Sequence, residues 1–205
     1  MATKSATHLN GDIIAVIDCE TTGLKPGYHD LIQVCILPLD SELNPSKKIM
    51  PFYQHIKATR PENVDPSALE VNKIDFFKLQ QTAFDAMRVA DLFDAWFQKL
   101  NLPLNKKIQP LAQNWPFDRP FLIDWLGSAA FESYFDRRYR DTMPVALYYN
   151  DVADLFNEPY PFPKCSLKYL ASTLKIDYTG AHDSMQDCLI TAQAYKKMLS
   201  MKIGI

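Results

Sequence analysis

Three apolar runs occupy the first third of the chain: Ile13–Ile17, Leu31–Leu39 and Ile49–Ile56. Each has the length of a strand. Ile13–Glu20 is apolar at successive positions, which predicts a central strand covered on both faces. Thr21-Thr22-Gly23 and Pro26-Gly27 break the pattern after it. Pro38 lacks a backbone donor and predicts that the second strand runs out near an edge. Asp65-Pro66-Ser67 predicts a short helix, with Asp65 as N-cap and Pro66 in the first turn. From Ala83 to Leu100, Phe84, Met87, Leu92, Phe93, Trp96, Phe97 and Leu100 fall largely at helical spacing. Ile108–Ala112 predicts a short strand. Helices are predicted over Phe121–Leu126, Ala129–Phe135, Ser166–Leu174 and Met185–Met201. The last carries a stripe of Met185, Cys188, Leu189, Ala192, Tyr195, Met198 and Leu199. No repeat or low-complexity linker interrupts the chain. Strands first, then helices interleaved with strands, predict a single α/β domain on a mixed sheet.

Composition supports one packed domain. A chain of 205 residues, 47% hydrophobic and 22% charged, can bury a full core and is not disordered. A net charge of -2 argues against a nucleic-acid coat, but not against an enzyme whose site is itself acidic. Cys19, Cys35, Cys165 and Cys188 are far apart, with no C-x-x-C. That pattern suggests neither a disulfide framework nor a zinc site, and a reducing, cytoplasmic setting is the default. No segment reaches the length of a membrane span. MATKSATHLNGD lacks the apolar stretch of a signal peptide. Residues 1–12 are expected to form a disordered tail ahead of a domain over 13–205.

The first strand ends in an unusual way. In VIDCETTG, Asp18 and Glu20 are two residues apart and project to the same face of a strand. Two ionised carboxylates about 4 Å apart repel by roughly 4 kcal/mol at an effective dielectric near 20. A cation between them, or a proton on one, is required. Two further acidic groupings follow. In Gln113-Asn114-Trp115-Pro116-Phe117-Asp118, Asp118 lies between a strand and a helix, where alone it reads as an N-cap. In His182-Asp183-Ser184-Met185-Gln186-Asp187, Asp183 and Gln186 have the spacing of a capping box. The helix then starts near Ser184, with Asp187 one turn in and His182 on the preceding loop. Taken alone, His182 reads as an idle loop residue.

The three groupings occur in a telling order: D-x-E-T-T-G after an apolar strand, N-x-x-F-D before a helix, H-x-x-x-x-D opening a last helix. This resembles the DnaQ-like DEDDh 3′→5′ exonuclease family of the RNase H-like superfamily. Asn72-Lys73-Ile74, Asp141-Thr142 and Cys165-Ser166-Leu167-Lys168-Tyr169-Leu170 resemble its flanking segments. The resemblance runs from Ile13 to about Met198. It implies a central mixed five-stranded sheet flanked by helices. Two departures stand out: Gln33 where the family often has an acid, and Gln113 where it often has histidine.

The resemblance implies phosphodiester hydrolysis at a 3′ end, releasing nucleoside 5′-monophosphates. Two divalent cations, Mg²⁺ or Mn²⁺, suit an all-carboxylate site. By resemblance, Asp18 bridges both ions, Glu20 and Asp187 bind the one that activates water, and Asp118 supports the second. His182 serves as general base. Thr21, Thr22, Gly23 and Leu24 correspond to a nucleotide-holding loop, in which Gly23 allows close backbone approach and Leu24 packs on the terminal base. Asn114 and Phe117 are candidates for the opposite wall; turn chemistry and core packing explain them equally well. Arg137, Arg138 and Arg140 form the densest basic cluster, which reads more readily as a solvated face than as a phosphate track. D-x-E-T-T-G is closer to the proofreading branch than to the oligoribonuclease branch, which points to single-stranded DNA. The expected partner is a nucleic-acid 3′ end; a polymerase in trans and a homo-oligomer are open. Two alternatives compete. A catalytically silent RNase H-like binding module is disfavoured by the presence of all five chemical residues. A D-x-D phosphatase is disfavoured by Glu20.

Overall fold

The computed structural model describes residues 11–201. The disordered tail expected over 1–12 lies mostly outside the described residues, as do the last four residues. Its final member is part of the fold. Asp12 is buried and accepts a hydrogen bond from the Gln109 amide at 2.8 Å. The described residues form a five-stranded sheet and eight α-helices. In chain order these are β1 (Ile13–Thr21), β2 (Leu31–Pro38), β3 (Phe52–His55), α1 (Pro66–Asn72), α2 (Phe76–Thr82), α3 (Ala86–Lys99), β4 (Ile108–Ala112), α4 (Trp115–Leu126), α5 (Ser128–Tyr134), β5 (Arg140–Asp141), α6 (Thr142–Leu155), α7 (Leu167–Thr173) and α8 (Ser184–Leu199).

The sheet order is β3-β2-β1-β4-β5. β1, β2 and β3 pair antiparallel, whereas β1, β4 and β5 run parallel. The mixed α/β sheet expected from the sequence is the architecture found. β1 is central, and its side chains divide by parity. Ile13, Ala15, Ile17 and Cys19 join Val89, Phe93, Phe121 and Leu122 from α3 and α4 on one face. Ile14 and Val16 join Cys35, Leu37, Cys188 and Ala192 on the other, beneath α8. Asp18 and Glu20 continue the second series, so the acids emerge on the α8 face. Gln33 and Tyr53 continue the corresponding series on β2 and β3.

Several boundaries differ from the expected ones, each for a local reason. β3 is confined to Phe52–His55. α3 begins at Ala86 because Asp85 caps it, its carboxylate accepting the Arg88 N–H at 2.8 Å. Met87, placed on the buried stripe, is exposed, as is Leu199 at the end of α8. Pro38 closes β2 beyond the last β3 partner, with β1 on one side and the Ser46 N–H donating to its carbonyl at 2.8 Å on the other. The hydrophobic pattern does not predict two of the helices. α2 buries only Leu79, too little for a stripe. α6 has Pro144 in its first turn and polar Asn150 among its buried residues.

α4 starts at Trp115, six residues earlier than expected. Asp118 is therefore inside the helix and not its cap. The cap comes from another strand: the buried Asp141 carboxylate accepts the N–H groups of Asn114 (3.1 Å) and Trp115 (2.7 Å). It also accepts Met143 N–H at 2.9 Å, so one side chain starts both α4 and α6. Removing it strands several backbone donors at once. We expect Asp141→Ala to lose about 3 kcal/mol of stability, read as a lower urea midpoint at unchanged slope. A change below about 0.5 kcal/mol, the size of an ordinary surface substitution, would contradict this role.

Candidate active site

β1 and β4 are parallel, so their carboxyl ends open on the same edge of the sheet, where open α/β sheets commonly receive ligands. β1 delivers Asp18 and Glu20 there. The first turn of α8 delivers Asp187, and α4 delivers Asp118. Carboxylate oxygens of Asp18, Glu20 and Asp187 lie within 4.8 Å of one another. Asp118 is not one of this trio, but its charge is the strongest neighbouring influence on Asp18. Asp118 is buried and accepts hydrogen bonds from the backbone and thiol of Cys19. The four acids expected to act together are thus brought together, three tightly and one alongside.

The crowding shows in their protonation. Burial first, then the charges of Asp118, Glu20 and Asp187, holds the Asp18 carboxyl well above the usual range. Burial, then Asp187 and Asp183, pushes Glu20 up to about 8. Burial raises Asp118 well above its ordinary value; hydrogen bonds from Cys19 oppose the rise, and Glu20 and Asp141 add to it. Asp187 is raised by burial, while the His182 N–H and imidazole pull it back down. Apart from His182 beside Asp187, no basic side chain is among the influences on these groups. The buried Oδ1 of Asp187 has no hydrogen-bond partner. An orphaned carboxylate oxygen among other hard oxygen donors is what a divalent cation such as Mg²⁺ or Mn²⁺ would satisfy.

His182 sits on the loop before α8, as expected, with a left-handed backbone (φ 71°) uncommon for a residue with a side chain. Its N–H donates to Asp187 Oδ2 at 3.3 Å, and its ring packs edge-on to Tyr178 at 6.3 Å. It lines a cleft of about 510 Å³ with Gln33, Tyr53, His55 and Asp183.

The loop after β1 is tied together by its own hydroxyls. Thr22 is fully buried, and its hydroxyl accepts the Asp30 N–H at 2.8 Å; the Thr21 hydroxyl donates to the Gly23 carbonyl at 2.7 Å. Both hydroxyls are engaged inside the loop. At Gly23 a Cβ would stand 2.5 Å from the His29 ring, so the glycine is required by that imidazole. Leu24 is different: it is 75% exposed at the loop tip, an apolar surface open to a ligand. On the other wall, Asn114 is exposed in a left-handed conformation and makes no side-chain capping bond. Phe117 is half-buried against Phe121 at 5.3 Å between ring centres.

The arginine cluster does not present three free cations. Arg138 pairs with Asp136 at 2.9 Å and with Asp12 at 3.5 Å, and Arg140 donates to Gln109 at 2.5 Å. Residues outside the predicted site set build the frame. Gln113 donates to the Cys165 carbonyl at 2.8 Å and accepts from Thr142. Arg60 joins buried Asp30 (2.9 Å) to Asp124 of α4 (2.5 Å). No helix among the described residues is long and apolar enough to cross a membrane.

Comparison with known proteins agrees with this geometry. The family model RNase_T, described as exonuclease, matches residues 15–195. No curated protein sequence matches the chain significantly. Among solved structures, the chain is similar to zinc-bound E. coli ExoI in complex with ssDNA, at 19% identity and a TM-score of 0.73. That match covers 93% of this chain but 41% of the other, so the chain spans about two-fifths of that protein. Cell-death related nuclease 4 (CRN-4) is similar at 19% identity and a TM-score of 0.69, over 93% of this chain and 64% of that one. The nuclease domain of 3′hExo, a DEDDh family member bound to rAMP, is similar at 16% identity and 0.69, over 97% of each chain. Identities this low establish a shared fold.

The raised acids give a signed expectation. Between roughly pH 4.5 and pH 8, Glu20 keeps its proton in the folded chain and loses it in the unfolded one. The folded state binds more protons, so without metal this group makes the protein less stable as pH rises through that window. A divalent cation prefers the ionised set and reverses the loss. The rise in melting temperature on adding Mn²⁺ should therefore be larger at about pH 8.5 than at about pH 6. Equal rises, or none, would contradict a cation site at these carboxylates.

Proposed function

The chain belongs to the RNase_T exonuclease family, and we propose that it hydrolyses the last phosphodiester at the 3′ end of a single-stranded nucleic acid, releasing nucleoside 5′-monophosphates. The observation that carries this reading is the gathering of Asp18, Glu20 and Asp187 within 4.8 Å, with an orphaned Asp187 oxygen, at the open edge of the sheet. Those three residues and Asp118 would hold two divalent cations. Bound there, the cations supply the charge that generates a nucleophile from water and that takes up the developing charge on the leaving oxygen.

The chain's own residues do the rest. Leu24 packs against the terminal base from one side, and Asn114 and Phe117 bound it from the other. The engaged threonines and the Gly23–His29 contact hold the loop still, which keeps the terminal nucleotide in register with the acids. A ring nitrogen of His182 accepts a proton from the attacking water. The water oxygen bonds to phosphorus, the 3′ oxygen of the penultimate nucleotide leaves, and that oxygen takes a proton from solvent. DNA is the proposed substrate. The D-x-E-T-T-G strand end supports this, as does the similarity to an exonuclease solved with single-stranded DNA.

Two outcomes test the reading. A linear single strand of DNA should be shortened from its 3′ end to mononucleotides, and a covalently closed circle should resist. Cutting of the circle at the linear rate would make this an endonuclease, and no product from either strand would leave a silent binding module. His182→Ala should lose turnover by about 10²- to 10⁴-fold while Mn²⁺ affinity, read by calorimetry, stays close to wild type. Normal turnover would remove His182 from the mechanism, and lost affinity would make it a ligand or a prop.

A further inference from the structure

Gln33, where an acid is expected from the family resemblance, occupies a crowded position. It pairs across the sheet with Glu20, is buried, and faces the start of α8. Its Oε1 accepts the Ser184 N–H at 2.8 Å. Its Nε2 donates to the Tyr53 hydroxyl at 3.0 Å and to Asp183 Oδ2 at 3.3 Å, and lies 2.9 Å from His55 Nε2. Tyr53 donates its own proton to the same Asp183 oxygen at 2.5 Å. The other Asp183 oxygen caps α8, accepting the N–H groups of Met185 (3.1 Å) and Gln186 (3.3 Å). The first turn of α8 is thereby pinned to β2 and β3 through Asp183 and the Ser184 N–H. The neighbour of Asp183 on one side is His182, held in a left-handed conformation, and one turn further on is Asp187.

We propose that Gln33 and Tyr53 are positioning residues for the exonuclease site, fixing the start of α8 and so setting where His182 and Asp187 stand. The chemistry of the amide explains the choice of side chain. An amide can accept the Ser184 N–H and donate to the Asp183 carboxylate at the same time. A carboxylate at this position could do only the first, and it would set a further negative charge against Asp183 and Glu20. The effect on turnover rests on the function proposed above; the pinning itself does not.

The test uses the whole chain and reads the two consequences separately. Amide hydrogen exchange on the metal-free protein is compared for wild type, Tyr53→Phe, Gln33→Leu and Gln33→Glu. Tyr53→Phe removes one hydroxyl from a half-buried ring and keeps the proposal testable if a Gln33 variant does not fold. Exchange at Ser184–Asp187 should speed up by about tenfold or more in each folded variant, as befits a lost hydrogen bond to a charged group. Turnover of a single-stranded oligonucleotide should fall by about tenfold while KM stays within about twofold, because orientation of the reacting groups is lost and not binding. A fall in melting temperature with no selective change in exchange at this turn would overturn the proposal. So would a Tyr53→Phe protein with wild-type exchange and turnover. If wild type itself turns over no 3′ end, the proposed function fails and the exchange comparison still decides the pinning.

Discussion

The structure is organised around mutual repulsion among carboxylates that have been taken out of water. At separations like those of the Asp18, Glu20 and Asp187 oxygens, two ionised carboxylates repel by roughly 4 kcal/mol at an effective dielectric near 20. Asp118 adds a fourth charge beside them. Without compensation, the elements that carry these groups would drift apart, or the acids would stay protonated, as the raised values of Asp18 and Glu20 indicate. The surrounding architecture holds each carrier from its far side. β1 is the central strand, locked by β2 and β4. α4 is started by Asp141 and tied to the β2–β3 side through Arg60. α8 is covered by the sheet on one side and by α6 and α7 on the other.

This division of labour explains why so many buried polar groups ring the site without belonging to it. Asp141, Gln33 and Gln113 satisfy partners far away in sequence, whereas the Thr22 hydroxyl and the His29 ring satisfy partners in their own loop. Their hydrogen bonds fix positions, and the acids in front of them remain short of partners. A site built this way is preorganised for a cation, because folding sets the positions of the acids before the cation arrives and displaces their protons.

What could be read from the sequence follows the same boundary. The apolar run of β1, the parity that puts Asp18 and Glu20 on one face, and the Asp183 cap that separates His182 from Asp187 are local patterns. They were legible because their physics spans a few residues. Residues acting across the chain were not. Asp141 caps a helix that begins 26 positions earlier, and Gln33 accepts from an amide 151 positions away. No periodicity records such contacts. Asp118 looked like a cap for the same reason: the true cap of α4 lies on another strand. The resemblance implies a nucleotide-holding role for Thr22 and Gly23, and the structure adds a local use, since the Thr22 hydroxyl is taken by Asp30 and the missing Gly23 side chain makes room for His29.

If the carboxylate cluster holds divalent cations, their binding displaces the protons on these acids. Calorimetric titration of Mn²⁺ near neutral pH, repeated in two buffers of different ionisation enthalpy, measures the protons released. Wild type is expected to bind Mn²⁺ and release protons, and Asp18→Ala, which removes the residue at the centre of the mutual repulsion, to lose both. Binding of equal strength in the variant, or binding to wild type with no proton release, would contradict this expectation.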